Sequence, residues 1–289
     1  MNLKNKKIII TGATGGIGYS LVKKFYELGS AVLATGTNEN KLDQLKKEFK
    51  NIKIKSFKLD QHSEIEKFVE SCYSELGGID VLINNAGITL DNISIRLNEE
   101  NWKKVIDINL TSTFLLCKSS IKKMLKNKQG KIINITSIVA HTGNLGQANY
   151  AAAKLGIHGL SRIIAMENEI KNIRSNVIAP FAWTRMIATI PIKDEASKKR
   201  VERMKNAMRP DQVAQTAVAL AAPKCKLSGQ ILSVRGNEVS LFSQPRPIKS
   251  IADTDGWTPE KLLDSAFPAF ESIAPDLGAT VTVFPYEPF

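Results

Sequence analysis

Seven short runs rich in Ile, Val and Leu recur along the chain, spanning 7–11, 31–35, 52–57, 80–84, 131–136, 174–178 and 230–234. Most are apolar on successive residues rather than on every second one. A strand of that kind buries both of its faces. Burial on both faces requires helices above and below the sheet, and a strand–helix–strand rhythm brings each new strand back parallel to the last. Stretches such as 19–28, 64–76 and 101–125 carry apolar residues at helical spacing between the runs. The chain is therefore expected to be α/β, a doubly wound parallel sheet of about seven strands.

The rhythm stops after Leu241. Gln244-Pro245-Arg246-Pro247 can continue neither a strand nor a helix. Residues 1–244 are expected to form one domain, and 245–289 an extension that wraps the body or a partner subunit. Within it, Thr258 and Pro259 read as the N-cap and first residue of a short helix. That helix should reach about Ala266 and stop before Pro268. Val281 and Val283 alternate in an end broken by proline, and Trp257 reads as an anchor for the extension.

At 43% hydrophobic, the 289 residues can bury a full core. No apolar run approaches the roughly 18 residues of a membrane span. Ile8-Ile9-Ile10 is too short for a signal-peptide core, so a cytoplasmic protein is expected. The three cysteines, Cys72, Cys117 and Cys225, are odd in number and far apart. They suggest reduced thiols and no metal spacing. Net charge is +12, but 251–289 hold seven acids against one base, which leaves +18 on the other 250 residues. A basic body suits anionic partners such as nucleic acid, a phosphorylated cofactor, coenzyme A or an acidic carrier protein. It is equally the lysine-rich solvated face of a chain biased to Lys, Asn and Ile. No helix-turn-helix or aromatic platform supports nucleic acid.

The first run leads into Thr11-Gly12-Ala13-Thr14-Gly15-Gly16-Ile17-Gly18. Glycines at such a turn let backbone approach a phosphate, and the following helix N-terminus attracts its charge. Gly12, Thr14, Gly15, Gly16, Ile17 and Gly18 are thus candidates to hold a dinucleotide. The second run ends in Gly36-Thr37-Asn38, with glycine where an acid would select NAD. Thr37, Asn38 and Lys41 can bind a 2′-phosphate, so NADP(H) is expected ahead of NAD(H). Asp60, with Gln61 beside it, either accepts from an adenine amino group or caps the next helix. Asn85, Ala86 and Gly87 follow the fourth run, small enough to lie against a cofactor.

Tyr150 and Lys154 stand at i and i+4, one face of one helix. A phenol has a pKa of about 10, and a neighbouring ammonium lowers it towards a usable acid and base. Ser137 ends the fifth run, at the sheet edge where doubly wound folds bind ligands. Asn109 shares a helical stripe with Trp102, Val105 and Ile106. As a buried amide it must be hydrogen-bonded, either to a helix carbonyl or to a water beside Lys154. His141 reads as a loop residue with a possible substrate contact, His158 and His62 as packing and surface residues.

Together these positions resemble the short-chain dehydrogenase/reductases. The resemblance rests on Gly12/Gly16/Gly18, Asn84-Asn85-Ala86-Gly87, Asn109, Ser137 and Tyr150-x-x-x-Lys154, and covers about residues 5–241. It implies a Rossmann-like oxidoreductase with an Asn109, Ser137, Tyr150 and Lys154 tetrad and bound NAD(P). Gly146-Gln147-Ala148-Asn149-Tyr150 and the run from Asn84 to Arg96 are most similar to bacterial 3-oxoacyl-acyl-carrier-protein reductases of fatty acid metabolism. That similarity implies NADPH-dependent reduction of a 3-oxoacyl thioester. Tyr150 would donate the proton and Ser137 polarise the carbonyl. Lys154 would hold the nicotinamide ribose and Asn109 a water. Gln147 and Trp183 would join Ser137 and Tyr150 around the substrate. Lys128 and Lys171 match bases that bind the acidic carrier near the active-site mouth, and the helices at 101–125 and 150–167 imply a homo-oligomer, dimer or tetramer.

Two departures stand out. The family usually has Pro-Gly after the sixth strand, where this chain has Pro180-Phe181-Ala182-Trp183-Thr184. Pro180 and Thr184 remain the candidate nicotinamide contacts, with shorter spacing, and Trp183 and Met186 add bulk. The chain also runs on past Val234-Arg235-Gly236-Asn237, where those reductases normally end. That extension is similar to one in hydroxyacyl-CoA dehydrogenases. An NAD-dependent 3-hydroxyacyl-CoA or other secondary-alcohol dehydrogenase is the alternative. A non-enzymic cofactor sensor or nucleic-acid binder is a minor one, opposed by the intact tetrad.

Overall fold

A computed structural model describes residues 3–182, 194–274 and 283–284. Its strands are β1 (Lys7–Ile10), β2 (Ala31–Gly36), β3 (Lys53–Ser56), β4 (Val81–Asn84), β5 (Gly130–Ile135), β6 (Ile173–Phe181), β7 (Ile231–Arg235) and β8 (Glu238–Leu241). They form one sheet in the order β3-β2-β1-β4-β5-β6-β7-β8, parallel throughout except for antiparallel β8. The central runs became strands buried on both faces, as in β4, where all four residues are buried, whereas β3 (Lys53–Ser56) lies at the sheet edge with no residue fully buried.

Helices cover both faces. Among them are α1 (Gly16–Glu27), α2 (Glu39–Glu48), α3 (Ile65–Leu76), α4 (Glu99–Ile106), α5 (Ser112–Asn127), α6 (Val139–Thr142), α7 (Ala148–Glu167), α8 (Glu195–Ala207) and α9 (Pro210–Ala221). Leu21, Val22 and Phe25 of α1 pack with Val213 and Ala217 of α9 on one face. Phe68 and Val69 of α3 pack with Leu116 of α5 and Ile164 of α7 on the other. The reversal of strand order between β1 and β4 opens a crevice at the carboxyl ends of the strands, the place where such sheets take ligands.

Five details differ from expectation. The sheet has eight strands where about seven were expected. β8 alternates half-buried and exposed residues at the edge, so it lacks the continuous apolar run that marks the others. Gly236-Asn237 joins it to β7 as a two-residue turn, with Gly236 at φ +58°. The expected single helix at 101–125 is α4 and α5 joined by a π turn, Asp107–Thr111, which carries Asn109. Trp102, assigned to the buried stripe, is 41% exposed, whereas Val105 and Asn109 are fully buried.

The helical stretch of the extension does not stop before Pro268. It runs through α10 (Pro259–Lys261), a π turn (Leu262–Ala266) and α11 (Phe267–Glu271). Pro268, which has no N–H to donate, lies in the first turn of α11, directly after that π turn. Thr258 caps the stretch as expected, accepting from the Lys261 N–H at 3.2 Å. β6 also continues three residues beyond the expected end. Without a glycine to break it, Pro180 and Phe181 pair onward with Val234 and Arg235.

Candidate active site

The turn after β1 is shaped so that only glycine fits at key points. Gly12 has φ +63°, and a Cβ there would lie 2.7 Å from the Cα of Ala86. A Cβ on Gly18 would lie 2.1 Å from the Gly12 carbonyl oxygen. At Gly15 the nearest atom is 3.5 Å away, so the turn is open above the start of α1. α1 carries no acidic residue in its first turn and no side-chain cap. Its free N–H groups and positive dipole end thus face the crevice. Thr11 ties the turn to the loop after β4, its Oγ1 accepting from the N–H groups of Asn85 and Ala86 at 3.0 Å each. Asn85 Nδ2 donates to the carbonyls of Thr11 and Gly12 at 2.9 and 3.1 Å. These glycines form a cradle that fits the phosphates of a dinucleotide.

At the end of β2, the Thr14 side chain lies against Gly36. Thr37 is exposed. Asn38 is partly committed elsewhere, its Oδ1 capping α2 by accepting from the Lys41 N–H at 3.0 Å. Asp60 is exposed and does not cap, because the next turn starts at Gln61 without a side-chain cap.

The tetrad converges on the carboxyl edge. Tyr150, Lys154 and Asn109 are all buried. The Lys154 Nζ donates to the Ile135 carbonyl at 3.0 Å, which ties α7 to the end of β5. It lies 5.7 Å from the centroid of the Tyr150 ring. Ser137 hydrogen-bonds to the Tyr150 hydroxyl, and its own Oγ accepts from the Val139 N–H at 3.2 Å. Asn109 satisfies no helix carbonyl with its side chain. Its Oδ1 accepts from the Ile88 N–H and its Nδ2 donates to the Ile88 carbonyl, both at 2.9 Å. A Cβ on Gly87 would sit 3.0 Å from that Oδ1 and 3.2 Å from the Lys154 Nζ, so the two groups flank one point.

Electrostatics depart from expectation here. The Tyr150 hydroxyl is pushed up to about 12, chiefly by burial; Ser137 opposes this and the charge of Asp91 adds to it. Burial drives Lys154 down to about 8. Desolvation of both groups outweighs the mutual help that their spacing suggested. His158, one turn beyond Lys154, is pushed down to about 3 by burial, then by His141 and Lys154. Its Nε2 lies 3.2 Å from Thr136 Oγ1. His141 lies not in an open loop but in α6, its ring 4.6 Å from that of His158 and 4.0 Å from that of Phe242.

Gln147 is held at the rim, its Nε2 donating to Asp91 Oδ2 at 2.7 Å and its Oε1 accepting from Asn144 Nδ2 at 3.1 Å. No local pattern singles out Asp91, Asn149 or Thr11. Each is an ordinary polar residue until the fold brings it to a backbone group or a charge. Pro180 lies within β6, and Thr184 and Trp183 fall outside the described residues. Lys128 and Lys171 precede β5 and β6, so within one chain they stand at the amino edge, at the far end of the sheet from Ser137. Trp257 is 36% exposed, and among the described residues of the extension Phe284 makes a ring contact, with Phe181.

Comparison with known proteins gives a consistent result. The sequence model for short chain dehydrogenases matches residues 6–193. The 3-oxoacyl-[acyl-carrier-protein] reductase FabG of Rickettsia bellii is 37% identical over 240 residues, covering 82% of this chain and 98% of that protein. The FabG proteins of Aquifex aeolicus and Thermotoga maritima are 34% identical over 243 residues and 35% over 245, covering 82% and 83% of this chain and 98% and 100% of theirs. Nearly the full length of these reductases is thus matched while part of this chain has no counterpart in them. Among solved structures, a short chain dehydrogenase from Mycobacterium avium superposes with a TM-score of 0.82 at 24% identity, over 96% of this chain and 99% of that one. That likeness concerns the fold.

Proposed function

Since the chain belongs to the short-chain dehydrogenase family and is an oxidoreductase, we propose that it reduces a 3-oxoacyl thioester to the 3-hydroxyacyl form, with NADPH preferred to NADH. The observation that carries this reading is the meeting of Tyr150, Ser137, Lys154 and Asn109 beside a glycine cradle. The relatives named 3-oxoacyl-[acyl-carrier-protein] reductase support the substrate class.

Gly12, Gly15, Gly16, Ile17 and Gly18, with Asn85, Ala86 and Gly87, would hold the dinucleotide. When bound, it supplies the hydride. Ser137 donates a hydrogen bond to the substrate carbonyl oxygen and stabilises charge as it develops there. Tyr150, protonated across the neutral range because of its burial, donates the proton to that oxygen. Lys154 keeps a positive charge beside the phenol below about pH 8. Asn109 acts on the Ile88 backbone and so fixes the wall opposite Lys154. Gly36 in place of a carboxylate at the end of β2 favours the 2′-phosphate, with Thr37 and Lys41 at hand; the nearest acid along the chain, Glu39, begins α2.

Carrier docking through Lys128 and Lys171 finds no support within a single chain, since both lie away from the cleft. Homo-oligomerisation is supported by Phe114 on α5 and Leu155, Ile163 and Met166 on α7, which stay exposed. Tyr150→Phe tests the chemistry. Turnover of acetoacetyl-CoA should fall about 10²–10⁴-fold, the usual weight of a general acid, with the fold intact. A variant that still reduces ketones at a near-normal rate would dismiss Tyr150 as the acid. Initial rates with NADPH and NADH at equal concentration test the cofactor preference.

A further inference from the structure

The two places where this sequence departs from its relatives meet in space. Phe181 stands where the family carries glycine, and Phe284 belongs to the extension. Phe181 ends β6 and pairs in register with Arg235, which ends β7. The Arg235 guanidinium carbon lies 5.9 Å from the Phe181 ring centroid and 5.2 Å from that of Phe284. The two rings are 5.2 Å apart and meet edge to face at 82°. Arg235 is 4% exposed, and its Nε lies 3.4 Å from Glu238 Oε2. A desolvated guanidinium attracts aromatic faces more strongly than an exposed one. The contact therefore holds Phe284 against the body although the intervening chain starts from the sheet edge.

The location matters. The Thr136 N–H donates to the Ile178 carbonyl at 2.8 Å, so Ser137 stands one strand away from the Pro180–Phe181 end of β6. An acyl chain that leaves Ser137 and Tyr150 towards β6 would meet this edge. Phe284 is half-buried.

We infer that Phe284, clamped by Phe181 and Arg235, walls the end of the acyl pocket and limits the length of chain that the enzyme accepts. The inference rests on the thioester reading, and two substrate series separate their fates. Phe284→Ala and wild type are compared on four-carbon and twelve-carbon 3-oxoacyl-CoA. The ratio of kcat/KM, long over short, should rise about tenfold or more in the variant, the weight of opening space in an apolar pocket. Phe284→Leu, which refills most of that space, should bring the ratio back towards wild type. The four-carbon kcat/KM should stay near wild type, which shows the catalytic site intact, while the urea midpoint falls modestly with the lost ring contacts. If wild type rejects thioesters, the substrate reading fails, and the same ratio taken on straight-chain ketones of matching lengths decides the wall. A Phe284→Ala ratio within about twofold of wild type in the series that is turned over would overturn the inference.

Discussion

Gly87→Ala probes the site with one methyl group. The new Cβ would stand 3.0 Å from Asn109 Oδ1 and 3.2 Å from Lys154 Nζ. Favourable contacts of carbon begin at about 3.5 Å, so each neighbour must yield by a few tenths of an ångström. Gly87 has no left-handed φ, so the backbone itself accepts alanine. Asn109 resists because its amide makes two 2.9 Å bonds to Ile88. Lys154 resists less, through one 3.0 Å bond to Ile135. One or two weakened hydrogen bonds cost about 1–2 kcal/mol of stability. Turnover should suffer more, about 10–100-fold, because the group that gives way is the lysine, and misplacement by a fraction of an ångström to an ångström is expensive in an ordered site. Urea unfolding and steady-state reduction on the same preparation measure both effects. Wild-type turnover in Gly87→Ala would show that the spacing of Asn109 and Lys154 does not matter to the reaction.

Two further predictions concern buried titratable groups. Lys154→Met should abolish most activity yet stabilise the fold at neutral pH. The folded-state pKa of about 8 lies below the ordinary 10.5, so the charged lysine opposes folding. After the loss of its hydrogen bond is set against this, the gain should be about 2 kcal/mol below pH 8 and shrink towards pH 10.5. Chemical denaturation across that range checks it, and a destabilised variant at pH 7 would refute it. His158 should make the fold acid-sensitive. Its folded pKa of about 3 lies below the ordinary 6.5, so stability is complete above pH 6.5 and is lost as pH falls towards 3. The slope is about 1.4 kcal/mol per pH unit, or about 2.7 kcal/mol at pH 4.5. His158→Gln should flatten the stability curve over that interval; an unchanged slope would assign the acid sensitivity to other groups.

How much of this was legible in the sequence depends on how local each signal is. Buried strands announce themselves because consecutive apolar residues have one meaning in a sheet covered on both sides. β8 did not, because its four residues, Glu238–Leu241, alternate half-buried and exposed and follow β7 after only a two-residue turn. Gly12 and Gly18 were legible as a turn, but their necessity lies in contacts with Ala86 and with the turn's own carbonyl. Trp102 misled because helical spacing identifies a stripe without saying where it ends. Phe181 was visible only as a missing glycine. Its partners, Arg235 and Phe284, are 54 and 103 residues further along, beyond the reach of any local pattern.

The pKa of Tyr150 shows most clearly what spacing alone omits. Tyr150, Lys154, His158 and Ser161 form one stripe of α7, and each is tied to the sheet. Tyr150 meets Ser137, Lys154 the Ile135 carbonyl, His158 the Thr136 hydroxyl and Ser161 the Ser175 hydroxyl at 2.7 Å. That seam orders the site and also dries it. A dry seam favours neutral forms, which raises the phenol and lowers both the lysine and the histidine. The consequences for the two directions of reaction differ. As a proton donor, Tyr150 is ready at any pH below about 12. As a base it would have to ionise against the same burial. Below about pH 8, where Lys154 also keeps its charge, the resting seam is thus poised as a proton donor, while the net direction is set by the reactants.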